Sequence, residues 1–283
     1  MLQPAANPFG LPASPAGPPI ALQLVDRILA KVGAPARIGT VDRIVAGDPA
    51  APVTGIAVMA IASLAGLQAA AAMQRNFVVA YDGPFWSDPE SFDHITGNPL
   101  LAAKRDFLRQ HDMVVLRFRD HWRARTPDGI SVGMARALGW EAHLASPGDP
   151  NRFTLPPTTL LGLARELRTK LDDRTLRVVG DPKLSVSRVA ASWGNAAQLP
   201  TIALLNSDVD VVVCGYTREW EAVEYAQDMI ATGARKGLIL LGEGKSVEGG
   251  MRYCAEWLRT IVPEVPVDLI AETEPYWSLA ARS

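Results

Sequence analysis

The chain has 283 residues, 48% of them hydrophobic, with 28 Lys and Arg against 30 Asp and Glu. A chain of this length buries roughly three quarters of its unfolded surface, so a large core needs no disulfide staples. The net charge of −2 excludes a general nucleic-acid binder, which carries a basic excess.

Residues 1–19 are rich in Pro, Ala and Gly, with no Lys or Arg and no continuous apolar stretch. This is not a secretory signal and reads as a flexible or loosely docked arm. Residues 21–35, "ALQLVDRILAKVGAP", space apolar positions for a helix that stops at Gly33 before Pro35. The uncharged run 53–73, "VTGIAVMAIASLAGLQAAAAM", reads as a buried strand over 53–61 and an Ala-rich helix capped by Ser63, not as a membrane span. A second buried strand, 76–81, completes a β-α-β order that predicts a parallel sheet. A helix over 98–112 has Asn98 as cap and Pro99 in its first turn. A strand over 113–118 and a helix over 128–140 follow. The Pro/Gly-rich stretch 144–157 is expected to be a joint, placing a first lobe at 20–145, the joint proper at 146–157 and a second lobe at 158–283.

The second half reads as helix 158–172, strands 176–181, 186–192 and 209–215, helix 218–234, strand 236–242, helix 247–263 and strand 265–271. The segment 55–82 and the segment 210–243 share one plan of apolar strand, helix and apolar strand ending in a polar loop. The expected fold is therefore α/β: two pseudo-repeated lobes packed together, with mixed, mostly parallel sheets flanked by helices. Ligands of open α/β sheets sit at the carboxyl ends of strands, which points to the loops 81–88, 119–128, 215–219 and 242–249. Cys214 and Cys254 form no CxxC motif and read as small buried hydrophobes in a reducing, cytoplasmic compartment.

Those loops carry a resemblance. "GDPAAPVTGIAV", "FVVAYDGPFW", "RFRDHWRARTPDGI", "GYTREWEAVEY", "KGLILLGEGKSVEGGM" and "VPEVPVDLIAETEPYW", in that order, are similar to the interacting-factor-three-like family of dinuclear metal-centre hexamers, whose members are often labelled GTP cyclohydrolase I type 2 homologues. The resemblance runs from about residue 21 to 277. It implies a two-lobed α/β subunit, a toroidal homo-hexamer and two divalent metals between the lobes. Position by position, the first-loop His of the family falls on Tyr81 and its acidic neighbour on Asp82. Arg119 and Arg123 stand where the related branch tends to have His, while Asp120 and His121 keep the family type. Tyr216 replaces a usual Glu. Glu243 replaces a His and Val247 the Glu four residues later, leaving Glu248 as the acid.

Imidazole and carboxylate bind divalent metals through lone pairs, whereas Arg has none and adds a fixed positive charge. The expectation is a degraded metal site in a non-catalytic or retasked subunit, alone or beside a ligand-complete relative. At most one Mg- or Mn-type cation is then held by Asp82, Asp120 and Glu243. The alternative is a metal-dependent hydrolase using those three oxygen ligands on a small, possibly anionic molecule. Around them the expected pocket gathers Tyr81, Arg119, His121, Arg123, Tyr216, Lys245 and Glu248. Structural roles stand beside these: Asp82 before Gly83-Pro84 also suits a turn, Asp120 an ion pair, His121 packing against Trp122, and Glu243 a helix cap.

Overall fold

Local signals set the helix boundaries of the first half. A computed structural model describes residues 17–35, 37–86, 95–196, 198–271 and 273–277; the N-terminal arm as far as residue 16, and the loop beyond residue 86 as far as 94, lie outside the described residues. Helix α1 (Ala21–Lys31) buries Ala21, Leu24, Val25 and Ile28 at helical spacing. Strands β1 (Arg43–Ala46) and β2 (Ile56–Ile61) follow. Helix α2 (Leu64–Ala72) starts where the Ser63 hydroxyl accepts a bond from the Gly66 N–H. After β3 (Phe77–Asp82), α3 (Pro99–Gln110) is capped by Asn98 with Pro in its first turn. Then come β4 (Val114–Arg117), the short α4 (Asp120–Ala124) and α5 (Gly129–Leu138). Asp128 caps α5, and Gly139 at φ 66° ends it in the left-handed conformation open to glycine.

The stretch expected as a joint is a hairpin. Strands β5 (Leu144–Ser146) and β6 (Asp149–Thr159) pair antiparallel, and β6 pairs on its other side with β8 (Ser185–Asn195). Proline signals misled here, because Pro cannot donate to a ladder but is tolerated at bulges. Pro156 and Pro157 fall where the β6–β8 register shifts, between Thr154 and Thr158. Between β6 and β8 run α6 (Leu160–Leu171) and β7 (Arg177–Val179). The chain continues through α7 (Gln198–Leu205), β9 (Val211–Tyr216), a π-helical turn at Glu219–Val223, α8 (Glu224–Ala231), β10 (Gly237–Leu240), α9 (Lys245–Ile261) and β11 (Val267–Leu269).

Two mixed sheets result, in the orders β1-β4-β3-β2-β11 and β5-β6-β8-β9-β10-β7. The two pseudo-repeated units, β2-α2-β3 and β9-α8-β10, each close a parallel pair. The final strand does not stay with the half of the chain that precedes it: β11 pairs in parallel with β2 in the first sheet. One core of buried side chains draws on both sheets and on α1, α5, α6 and α9. A second lies under α2 and α3, and a third under α7 and α8. Helices α5 and α9 touch backbone to backbone, since a Cβ on Gly133 would fall 2.3 Å from the Gly249 carbonyl oxygen. Cys214 and Cys254 are buried, unpaired, and lie in different cores. Among the described residues no helix is long and apolar enough to cross a membrane.

Candidate functional site

Strand parity separates the two side chains that end β3. Val78 and Ala80 face the layer under α2 and α3, while Val79 and Tyr81 face the core shared by both sheets. The two-residue period therefore sends Asp82 to the side of Ala80, away from Tyr81. Arg117 on β4 is the register partner of Ala80 and so projects to the same face. Its Nη2 lies 3.1 Å from Asp82 Oδ1, and Arg119 Nη1 lies 3.2 Å from the same oxygen. Glu243, between β10 and α9, joins them by a side-chain hydrogen bond to Asp82. Burial first, and then the Asp82 charge and that bond, push the Glu243 carboxyl up to about 7, against the pull of Arg119 and Arg117. Below about that pH Glu243 carries the hydrogen of this bond and donates it to Asp82.

These groups line a cavity of about 500 Å³ at the carboxyl ends of β2 and β3. Lys104 of α3 also lines it. Its ammonium donates to the Ala62 carbonyl at 2.9 Å and the Pro84 carbonyl at 2.5 Å, tying the two strand ends together. Burial lowers its pKa to about 8. The Nζ also stands 5.3 Å from the centre of the Trp86 ring.

On the inner side, Arg123 Nη1 donates to the Tyr81 hydroxyl at 3.2 Å and to the Trp193 carbonyl at 2.8 Å, and Nη2 pairs with Asp128 at 3.4 Å. Burial raises the Tyr81 pKa despite Arg123. Gly194, at φ 77°, permits this contact: a Cβ there would lie 2.7 Å from the Tyr81 hydroxyl.

A third cluster surrounds Asp42. Its carboxylate accepts the N–H groups of Arg119 (2.7 Å), Asp120 (2.9 Å) and His121 (2.8 Å), capping α4 from a distant segment. The same carboxylate oxygen that binds the His121 N–H lies 2.8 Å from His121 Nδ1, so that nitrogen carries the hydrogen and donates it. Asp120 Oδ2 accepts from Val41 N–H and the Thr40 hydroxyl, and Oδ1 faces Arg119 Nε at 3.4 Å. Burial alone would raise the Asp120 pKa, but the Val41 bond, Arg119 and Thr40 outweigh it and hold it low.

The structure therefore brings Asp82, Arg119 and Glu243 together, sets Tyr81 and Arg123 behind them, and holds Asp120 and His121 on the Asp42 cap. Lys245 pairs with Glu248 along α9 at 3.5 Å. Val247 is buried in the core. Tyr216 ends β9 with 45% of its surface exposed. Ser246 fixes the Glu243 loop by donating to the Glu243 carbonyl at 2.7 Å and accepting from the Gly194 N–H at 2.9 Å. Among the described residues, no three of His, Cys, Asp and Glu gather in a metal-binding arrangement.

Sequence reasoning passed over Arg117, Lys104, Asp42 and Asn195, the last of which lines the cavity. Two left a signal. Arg117 is the one charge in the apolar strand "MVVLRF", and Lys104 sits between Leu101 and Leu108 on the buried stripe of α3. Asp42 left none, because its partners lie more than 70 residues away.

The sequence pattern of Duf34/NIF3 (NGG1p interacting factor 3) matches residues 41–234. The chain belongs to the NIF3 family. Solved structures similar to this NIF3 chain include the protein ybgI, described as of unknown function, at 22% identity and a TM-score of 0.68, over 91% of this chain and 100% of that one. The hypothetical protein SA1388 of Staphylococcus aureus has 13% identity and the same TM-score, covering 93% and 100%. TTHA1606 of Thermus thermophilus has 17% identity and a TM-score of 0.61, covering 90% and 98%. At these identities the structures speak for the fold alone. A search of curated proteins finds no match. The NIF3 match spans β1 to α8, and so takes in the Asp82 and Arg119 loops but ends before Glu243.

Proposed function

We propose that this NIF3 protein is a retasked, metal-poor member of its family, in which a guanidinium–carboxylate cluster stands where the family resemblance implies two divalent metals. The observation that carries the reading is the placing of two guanidiniums on one oxygen of Asp82. A cation there would meet two fixed positive charges within a few ångströms of its ligand, and like charges at such range repel by several kcal/mol at the effective dielectric of a protein surface, on the order of 4 kcal/mol at 4 Å. The donor set does not suit a metal in other respects. Glu243 is hydrogen-bonded by its side chain to Asp82, and Asp120 spends both oxygens on Thr40, Val41 and Arg119. The hydrolase alternative, with Asp82, Asp120 and Glu243 around one Mg or Mn ion, would require Arg119 to leave both of its carboxylates.

In this reading the chain acts as a non-catalytic subunit in a cytoplasmic homo-oligomer, the hexamer implied by the resemblance, or beside a ligand-complete relative. Exposed apolar residues such as Leu199 and Trp220 give such contacts material to bury. Elemental analysis of tag-free protein purified without chelator tests the proposal. The expected content is well below one Mn, Fe, Zn or Mg per chain, and one or two per chain would refute it.

A further inference from the structure

The cavity beside Asp82 has the wrong sign for a cation and the right one for an anion. Three cationic side chains, Lys104, Arg117 and Arg119, line it against two carboxyls, Asp82 and Glu243, so positive charge is in excess even when both acids are ionised. Arg117 is 1% exposed and Lys104 2%, so protein rather than water surrounds most of each charge, which strengthens its field in the cavity. The lip is apolar instead: Trp86 is 54% exposed and Leu100 51%, and both line the same space. At about 500 Å³ the cavity exceeds the needs of an inorganic ion and falls in the range of small-molecule sites.

We propose that this cavity binds a small organic oxyanion, a carboxylate or phosphate carried on an apolar ring, with the head on Arg117 and Arg119 and the ring against Trp86 and Leu100. Asp82 does not block the head. It keeps a second partner in Glu243, to which its side chain is hydrogen-bonded, when the guanidiniums turn to the ligand. Forked guanidiniums suit the planar oxygens of carboxylate and phosphate, and the exposed indole supplies a rigid face for a ring. The inference rests on the metal-poor reading above and names the ligand class of the same site.

Titration calorimetry on chelator-treated full-length protein tests it with three probes: phenyl phosphate, inorganic phosphate and benzyl alcohol. Phenyl phosphate is expected to bind one to one and at least about tenfold more tightly than either partial probe. Arg119→Gln is expected to weaken it by about tenfold or more, the usual loss of a hydrogen bond to a charged group. Arg119 also pairs with Asp82 and Asp120, so a second variant guards against misfolding. Leu100→Glu puts a carboxylate on the exposed lip, in the first turn of α3 where acids favour the helix, and is expected to weaken phenyl phosphate by a larger factor than benzyl alcohol, which shares the ring contact but carries no charge. Phenyl phosphate binding no tighter than benzyl alcohol, or indifferent to both variants, overturns the inference. No binding with or without added Mn²⁺ overturns it alone. Binding that appears only with Mn²⁺ overturns both it and the metal-poor reading.

Discussion

Replacing Glu243 with Gln separates a proton-sharing carboxyl pair from a metal-ready one. In the folded chain the Glu243 carboxyl is pushed from an ordinary 4.5 up to about 7. The folded state therefore holds a proton between those values that the unfolded state has released. Its contribution to stability is complete below about pH 4.5, is lost as the pH rises through 7, and stays lost above. At about 1.4 kcal/mol for each pH unit of displacement the ceiling is about 3 kcal/mol, and because the group is partly open to solvent roughly 2 kcal/mol is the working figure. Gln keeps an amide N–H for Asp82 and never ionises. The wild type should then lose roughly 2 kcal/mol relative to Glu243→Gln between pH 5 and pH 8, a gap of about 4–8 °C in melting temperature for a chain of this size. Thermal unfolding of both proteins across that range, followed by circular dichroism, reads the difference. Parallel profiles would refute the reasoning, because they would mean that Glu243 is ionised beside Asp82, the state a cation would select.

Three further outcomes follow from the packing. Gly133→Ala should destabilise the fold by about 3 kcal/mol in urea unfolding, since its methyl would meet the Gly249 carbonyl at 2.3 Å and helix backbones yield poorly. Asp42→Ala should cost about 2 kcal/mol or more in the same assay, because it uncaps α4 and strands three backbone N–H groups, that of His121 buried, and His121 Nδ1. Burial pushes the Cys214 thiol up to about 12 and the Cys254 thiol higher still, so neither should react with a thiol-specific disulfide reagent at pH 8 until the chain is unfolded.

Much of this architecture is legible because local chemistry announces it. Ser63, Asn98 and Asp128 are caps that stand where the helices begin, and the fully apolar 56–61, 77–81 and 211–215 segments can only be buried strands. What escapes is non-local. The prolines of 144–157 suggested a joint, yet two of them occupy a bulge that only pairing with β8 creates. The return of β11 to the first sheet goes with the packing of α9 across both β2 and β11, a contact that joins distant segments. At the site, strand ends point to the loops, but the division of Tyr81 from Asp82 follows from parity within β3, and the hold of Asp42 on α4 joins segments far apart. Arg117 and Lys104 were readable as charges in apolar settings, the signature of a buried group with a task or a partner.

Under the metal-poor proposal, guanidiniums hold Asp82 where the family resemblance implies a metal pair. A crystal grown without chelator and soaked in MnCl₂ tests it most directly, through the anomalous signal around Asp82. The expected result is no manganese peak within bonding distance of Asp82 and both guanidiniums in place on its carboxylate. Two peaks roughly 3.5–4 Å apart beside Asp82, with Arg119 swung away, would contradict it.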